Sequence, residues 1–164
     1  MRLCAMAIDR RYSQKGVTLM ELLVVMGIMS VLLAIAIPRM DIIQISRLNG
    51  AARTVWRDMH LARVTAVKEN MEIHVVFSGQ RYHFERVFDS QDNEVFFVRD
   101  IADEFRDDAI GIANRYGNQS FSLNFRSKGT MNPPSQTIRV SLGDQTRQFT
   151  VLSSGRIGGI HEPS

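Results

Sequence analysis

The sequence predicts an α+β protein in which a long N-terminal helix, apolar in its first half and amphipathic in its second, packs on a mainly antiparallel β domain. Three observations predict it. A nearly unbroken apolar run, VTLMELLVVMGIMSVLLAIAI, occupies residues 17–37. Ile42, Ile45, Leu48, Ala52, Val55, Met59, Ala62 and Ala66 then recur at spacings of three, four and seven, the period of a helix with one buried face. Past Asn70, short β-branched and aromatic runs alternate with Gly, Asn, Asp and Pro, as antiparallel strands and their turns do.

The residues ahead of the apolar run decide what the charge means. Arg2, Arg10, Arg11 and Lys15 against Asp9 give 4 − 1 = +3, the net charge of the whole 164-residue chain. The remainder is therefore balanced, with 20 − 4 = 16 basic and 17 − 1 = 16 acidic residues. A basic excess would otherwise suggest nucleic acid or an anionic membrane surface as partner, and its confinement to residues 1–16 weighs against nucleic acid. The only cysteine, Cys4, falls in the same segment, so the rest of the chain must fold by packing without a disulfide.

About 20 apolar residues rising 1.5 Å each span a hydrocarbon core of ~30 Å, which makes residues 17–37 a transmembrane helix. The basic flank precedes this helix, while Arg39 and Asp41 follow it and cancel. The positive-inside rule then leaves the N-terminus cytoplasmic and exports the C-terminal domain. A secretory signal peptide would have a shorter apolar core and an A-x-A type cleavage site before a polar start. Ala34-Ile35-Ala36 is a weak match to that pattern.

Glu21 fits neither a plain anchor nor a signal peptide, because a carboxylate within an apolar helix costs roughly 2.5 to 3.5 kcal/mol on insertion scales. A cut after Gly16 would give Val17 a free amine four residues before Glu21. An ammonium one helical turn away, or on a neighbouring subunit, would neutralise the carboxylate, giving Glu21 a part in assembly.

The stretch Lys15-Gly16-Val17-Thr18-Leu19-Met20-Glu21-Leu22-Leu23 resembles the prepilin peptidase site of type IV pilins and type II secretion pseudopilins: a glycine, a hydrophobic first residue, then glutamate at the fifth. The resemblance implies cleavage after Gly16 on the cytoplasmic face and methylation of the new N-terminus at Val17, a position where phenylalanine is more usual. Further along, Leu61 to Val67 leading into Ile73 to Val76, the turn Phe125-Arg126-Ser127-Lys128-Gly129-Thr130, and Ser153-Ser154-Gly155-Arg156 are similar to the GspH/FimT group of minor pseudopilins and minor pilins.

That resemblance implies a pilin fold with residues 1–16 as removed leader, 17–37 as transmembrane helix, 38–70 as amphipathic stem helix and 71–164 as a periplasmic β-rich pilin domain. It implies a minor pseudopilin of the H type, a structural subunit of the pseudopilus tip of a type II protein secretion system. The alternative is a FimT/FimU-like type IV minor pilin serving pilus assembly or DNA uptake. The implied partners are other minor and major pseudopilins or pilins, the prepilin peptidase and an inner-membrane assembly platform, with the chain single-pass in the bacterial inner membrane. No enzyme, cofactor or metal is implied.

Within the stem, Pro38 should kink or end a helix turn, and Gly50 costs about 1 kcal/mol against alanine, a place for bending. Trp56 beside arginines suggests base stacking, but one tryptophan on a helix is first a packing residue. The predicted strands are 72–77, 81–88, 95–101, 121–125, 137–142 and 147–152, with hairpin turns at Ser78-Gly79-Gln80 and Gly143-Asp144-Gln145.

The acidic run Asp103 to Asp108 invites a calcium reading, yet it lacks the D-x-[DN]-x-[DN]-G order and reads as a solvated loop or turn, so no metal ligand is assigned. His60, His74, His83 and His161 show neither metal-ligand spacing nor a partnered nucleophile. DNA-binding members of the T type carry a Gly-Arg-x-Arg motif; here Gly155-Arg156-Ile157-Gly158 lacks the second arginine. Arg156 is thus a candidate DNA contact through phosphate and, more simply, a turn residue closing the last strand.

Overall fold

The computed structural model describes residues 17–36, 39–88 and 93–163. Gly16, the rest of the leader and Pro38 lie outside the described residues. The chain divides into two compact units, residues 1–40 and 41–164.

In the first unit, α1 (Leu19–Ala36) is apolar apart from Glu21, Gly27 and Ser30. Its start is set by Thr18, whose hydroxyl and carbonyl both accept from the Glu21 amide at 3.2 and 3.0 Å. Thr18 is thus the N-cap and Glu21 the N3 residue, in the T-x-x-E spacing of a capping box whose N-cap half is formed. Ser30 turns its hydroxyl back onto the Met26 carbonyl at 2.6 Å, which spares an apolar surround an unsatisfied donor. Among the described residues no helix is long and apolar enough to cross a membrane; the 18 residues of α1 rise about 27 Å, a little under the ~30 Å needed.

In the second unit, α2 (Arg39–Glu69) buries the predicted stripe: Leu48, Ala52, Val55, Met59, Ala62 and Ala66 are all inaccessible, whereas Ile42 and Ile45 remain exposed. The helix ends in a Schellman motif. Asn70 turns left-handed at φ 53°, its amide donates to Val67 O, and the Met71 amide donates to Ala66 O.

Two antiparallel sheets complete the unit. One has the order β3-β2-β1-β5-β6, built from β1 (Glu72–Ser78), β2 (Arg81–Val87), β3 (Glu94–Asp100), β5 (Ser120–Phe125) and β6 (Met131–Asn132). The other has the order β4-β7-β8, from β4 (Ile110–Asn114), β7 (Gln136–Leu142) and β8 (Gln145–Val151). Inward residues of both sheets and of α2 form one core that includes Val75, Phe84, Leu123, Val140 and Phe149. This is the predicted α+β fold, a long helix packed on antiparallel sheet.

The two predicted hairpins form with two-residue turns, Ser78 pairing Arg81 and Leu142 pairing Gln145. Gly79 and Gly143 hold the first central positions at φ 65° and 57°, as tight hairpin turns require.

Three local expectations are corrected. β4 was not predicted, because Gly111 and Asn114 interrupt its alternation. The strand expected to reach Ile101 stops at Asp100, whose carboxylate caps a short helix α3 (Ile101–Phe105) by accepting from the Asp103 amide at 3.2 Å. The acidic run is therefore partly helical. At Gly50 α2 runs on without a break, and a Cβ there would lie 2.7 Å from Phe105 Cε1. Glycine at this position lets α3 approach α2.

Candidate functional site

The residues proposed for processing and assembly belong to the first unit. Val17 precedes the Thr18 cap, so in the uncut chain Val17 and Glu21 are not two positions of one helix. The Glu21 amide is engaged by Thr18 while the exposed residues around it, Leu19, Met20, Leu22 and Leu23, present an apolar surface without cover. Sequence reasoning missed Thr18, although the T-L-M-E spacing carried the signal.

The three later motifs meet at one point in the second unit. Arg63 of α2 donates from Nε to the Gly129 carbonyl at 3.2 Å. Gly155, at φ 75°, lies so close that a Cβ on it would overlap that same carbonyl and come within 3.0 Å of Arg63 Nε. Gly129, at φ 75°, leaves only 3.1 Å between a built Cβ and Val67 Cγ2. Helix, turn and C-terminal turn thus meet at two glycines: Gly155 leaves no room for a side chain, and one at Gly129 would crowd Val67 in a left-handed backbone.

Arg156 follows this lock. Its carbonyl accepts from the Leu152 amide at 2.9 Å and Ile157 bridges to Val151, so the backbone does close the last strand, while the side chain is exposed. The chain then runs back along β8: Gly158 and His161 amides donate to Thr150 and Gln148 carbonyls, each within 2.9 Å. Trp56 Nε1 donates to Gly158 O at 2.8 Å and its ring stands edge-on to His60, 4.3 Å between centroids. Trp56 is a packing residue that fastens this segment to α2.

One buried carboxylate holds α2 to the sheet. Asp58 Oδ2 accepts from Tyr82 Oη and from Arg99 Nε, both at 2.6 Å, and Arg99 Nη1 reaches Glu104 at 2.6 Å. Burial, then the Asp58 hydrogen bond, push the Tyr82 phenol far above its ordinary value, so it remains a donor. Arg47 reaches Asp107 at 3.3 Å, which accounts for a second residue of the acidic run as structural.

His74 and His83 pair with Glu72 and Glu85 at 3.5 and 2.8 Å, and His161 Nδ1 lies 3.1 Å from the Gly159 carbonyl. Burial and then the Arg63 charge lower the basicity of His60, whose Nε2 is buried without a hydrogen-bond partner. One groove of about 570 Å³ is polar and open between the Gly79 turn and β4; of its charged residues Arg81, Asp100 and Asp108, the first two are ion-paired with each other. Among the described residues no set of three or more His, Cys, Asp or Glu is arranged to hold a metal ion.

A long helix packed on antiparallel sheets is a pilin-like fold. Residues 11–37 match the family described as the prokaryotic N-terminal methylation motif. The fold is similar to the type IV minor pilin FimU of Pseudomonas aeruginosa, at TM-score 0.56 and 20% identity over 73% of this chain and 90% of that one. It is equally similar to the minor pseudopilin EpsH of the Vibrio cholerae type 2 secretion system, at TM-score 0.56 and 12% identity over 72% of this chain and 98% of that one. These likenesses accord with the GspH/FimT resemblance of the sequence. No curated protein sequence matches the chain.

Proposed function

We propose that this chain is a prepilin whose mature form is a minor, structural subunit at the tip of a type II secretion pseudopilus. A membrane peptidase cuts after Gly16 and methylates Val17. Helix α1 with its flanking residues anchors the subunit in the inner membrane, N-terminus cytoplasmic and residues 71–164 periplasmic. Subunits associate through α1, and the Val17 amine of one meets the Glu21 carboxylate of a neighbour, which relieves the cost of that charge in lipid. No enzymatic activity is assigned; assembly-platform partners supply the work.

The observation that carries this reading is the conjunction of a methylation-motif match over residues 11–37 with a minor-pilin fold behind it. A FimU-like type IV minor pilin is supported by the same fold match, with Arg156 as the candidate DNA contact. Loss of exoprotein secretion on deletion would favour the first reading, and loss of surface pili the second.

Intact-mass measurement of the protein extracted from membranes tests the processing step. The mass should correspond to a chain beginning at Val17 plus one methyl group, and Gly16→Val should leave the full-length chain. Retention of residues 1–16 with the peptidase present would contradict the proposal.

A further inference from the structure

Residues 41–164 carry no net charge, since taking Arg39 and Glu21 from the balanced remainder leaves 16 − 1 = 15 basic and 16 − 1 = 15 acidic residues. The unit nonetheless gathers unpaired cations along and beside one side of α2. On the side turned away from the core, Arg53, Arg57, Leu61, Val64 and Lys68 are exposed at spacings of three and four, forming one stripe. Ile42, three turns before Arg53, continues the stripe and is 66% exposed. From Ile42 to Lys68 the helix rises about 40 Å, and its only acidic residue in that span, Asp58, is buried. The turns that meet α2 at Arg63 bear Arg126, Lys128 and Arg156, all exposed. Among the described residues none of these six cations is in an ion pair, whereas Arg47, Arg81, Arg86, Arg99 and Arg147 all are.

Two shallow grooves follow the same side. One of about 310 Å³ is lined by Trp56 and Ile160 with Arg53 and Arg57. The other, about 350 Å³, is lined by Val64 and Val67 with His60, Arg63 and Lys68. Each sets apolar side chains beside cations, and neither contains a carboxylate.

We propose that this face docks on a bilayer surface carrying anionic headgroups, the surface of the membrane in which α1 is anchored. Two observations select a bilayer. The first is the tether: α2 begins at Arg39, three residues after α1 ends at Ala36, so an anchored chain keeps this side of α2 close to the headgroups at high effective concentration, and weak contacts suffice. The second is the composition. Arginine and lysine stems rise among exposed isoleucine, leucine and valine, the mixture that lets aliphatic groups enter an interface while the charged ends reach phosphate. A neutral unit with its unpaired cations on one side is also oriented by an anionic surface without being drawn to it on every face. The contact would hold the unassembled subunit flat against the membrane, and incorporation into a filament would break it. The inference rests on the reading of α1 as a membrane anchor and adds what covers the outer side of α2 before assembly.

The test uses the full chain with Cys4→Ser and one bimane-labelled cysteine at a time, reconstituted in vesicles of phosphatidylcholine alone or with about one-third phosphatidylglycerol. Nitroxide-labelled lipid then quenches a label that touches the bilayer. Leu33→Cys in α1 reports the anchor and should be quenched in both vesicles. Val64→Cys on the stripe should be quenched about threefold more in the anionic vesicles. Val98→Cys, outward on the five-stranded sheet opposite His83, should be quenched in neither. Salt at about 0.5 M, or Arg57→Glu with Lys68→Glu, should remove the difference at position 64, and unchanged melting temperatures of these surface variants confirm folding. Equal quenching at position 64 in the two vesicles, or at 64 and 98 alike, overturns the inference. So does an unquenched label at 64 when Arg57→Glu with Lys68→Glu blocks incorporation into filaments in cells, the mark of an acidic protein partner. Salt-sensitive oligonucleotide binding that needs Arg57 and Lys68, with position 64 unquenched, overturns it in favour of nucleic acid. Quenching at Leu33 without quenching at Val64 defeats this inference alone, whereas no quenching at Leu33 defeats the anchored reading beneath it.

Discussion

Single residues carry two consequences that differ in kind. Gly155 and Gly143 both hold left-handed backbone, a conformation that costs an L residue roughly 1–2 kcal/mol. A methyl group on Gly143 meets nothing within 4 Å, but on Gly155 it overlaps the Gly129 carbonyl. Gly143→Ala should cost about 1 kcal/mol, and Gly155→Ala clearly more, about 3 kcal/mol or loss of folding, as read by urea titration of residues 41–164, the unit that holds the buried core. His60 gives a pH effect. Its folded pKa lies below the free value of 6.5, so the stability it contributes is complete above pH 6.5 and is lost as pH falls through the lowered folded value. His60→Phe should flatten that part of the melting temperature against pH curve between pH 7.5 and 5; an unchanged slope would assign the acid sensitivity elsewhere.

Elements were legible in the sequence where period and punctuation agreed. The buried stripe of α2 follows its three-and-four spacing, and β1, β2, β7 and β8 follow alternation bounded by glycine turns. β4 and the two-residue β6 escaped because a strand that short, or interrupted by Gly111, has no pattern to read. The contacts that tie elements together were not legible at all: Asp58 meets residues 24 and 41 positions away, and Gly50 owes its identity to Phe105. The same Asp58 node predicts unequal costs. Tyr82→Phe removes one hydrogen bond to a carboxylate and should cost about 1.5 kcal/mol, whereas Asp58→Ala strands both Tyr82 and Arg99 and should cost about 3 kcal/mol. A double-mutant cycle by chemical denaturation should show strong coupling, and additive costs would mean that the two contacts act independently.

At the scale of the molecule, the sequence distributes its tasks along the chain: net charge before Val17, apolar surface in α1, and a neutral folded unit behind. Neutrality bears on the DNA alternative. A mobility-shift titration of residues 41–164 should show no more than weak, salt-sensitive retardation that Arg156→Ala alone does not abolish, since one arginine releases about one counterion. The candidate assembly site was legible in part: the lone glutamate announced itself by its cost, while its N3 position behind the Thr18 cap emerged from the helix start. That position supplies a local reason for Glu21, and so it sets the decisive comparison. Glutamine serves N3 of a capping box as well as glutamate does but carries no charge. Crosslinking of Glu21→Gln to partner pilins in cells should show a subunit that is cut after Gly16 normally yet is not incorporated into filaments; incorporation at the wild-type level would contradict the pairing of Glu21 with a neighbour's Val17 amine.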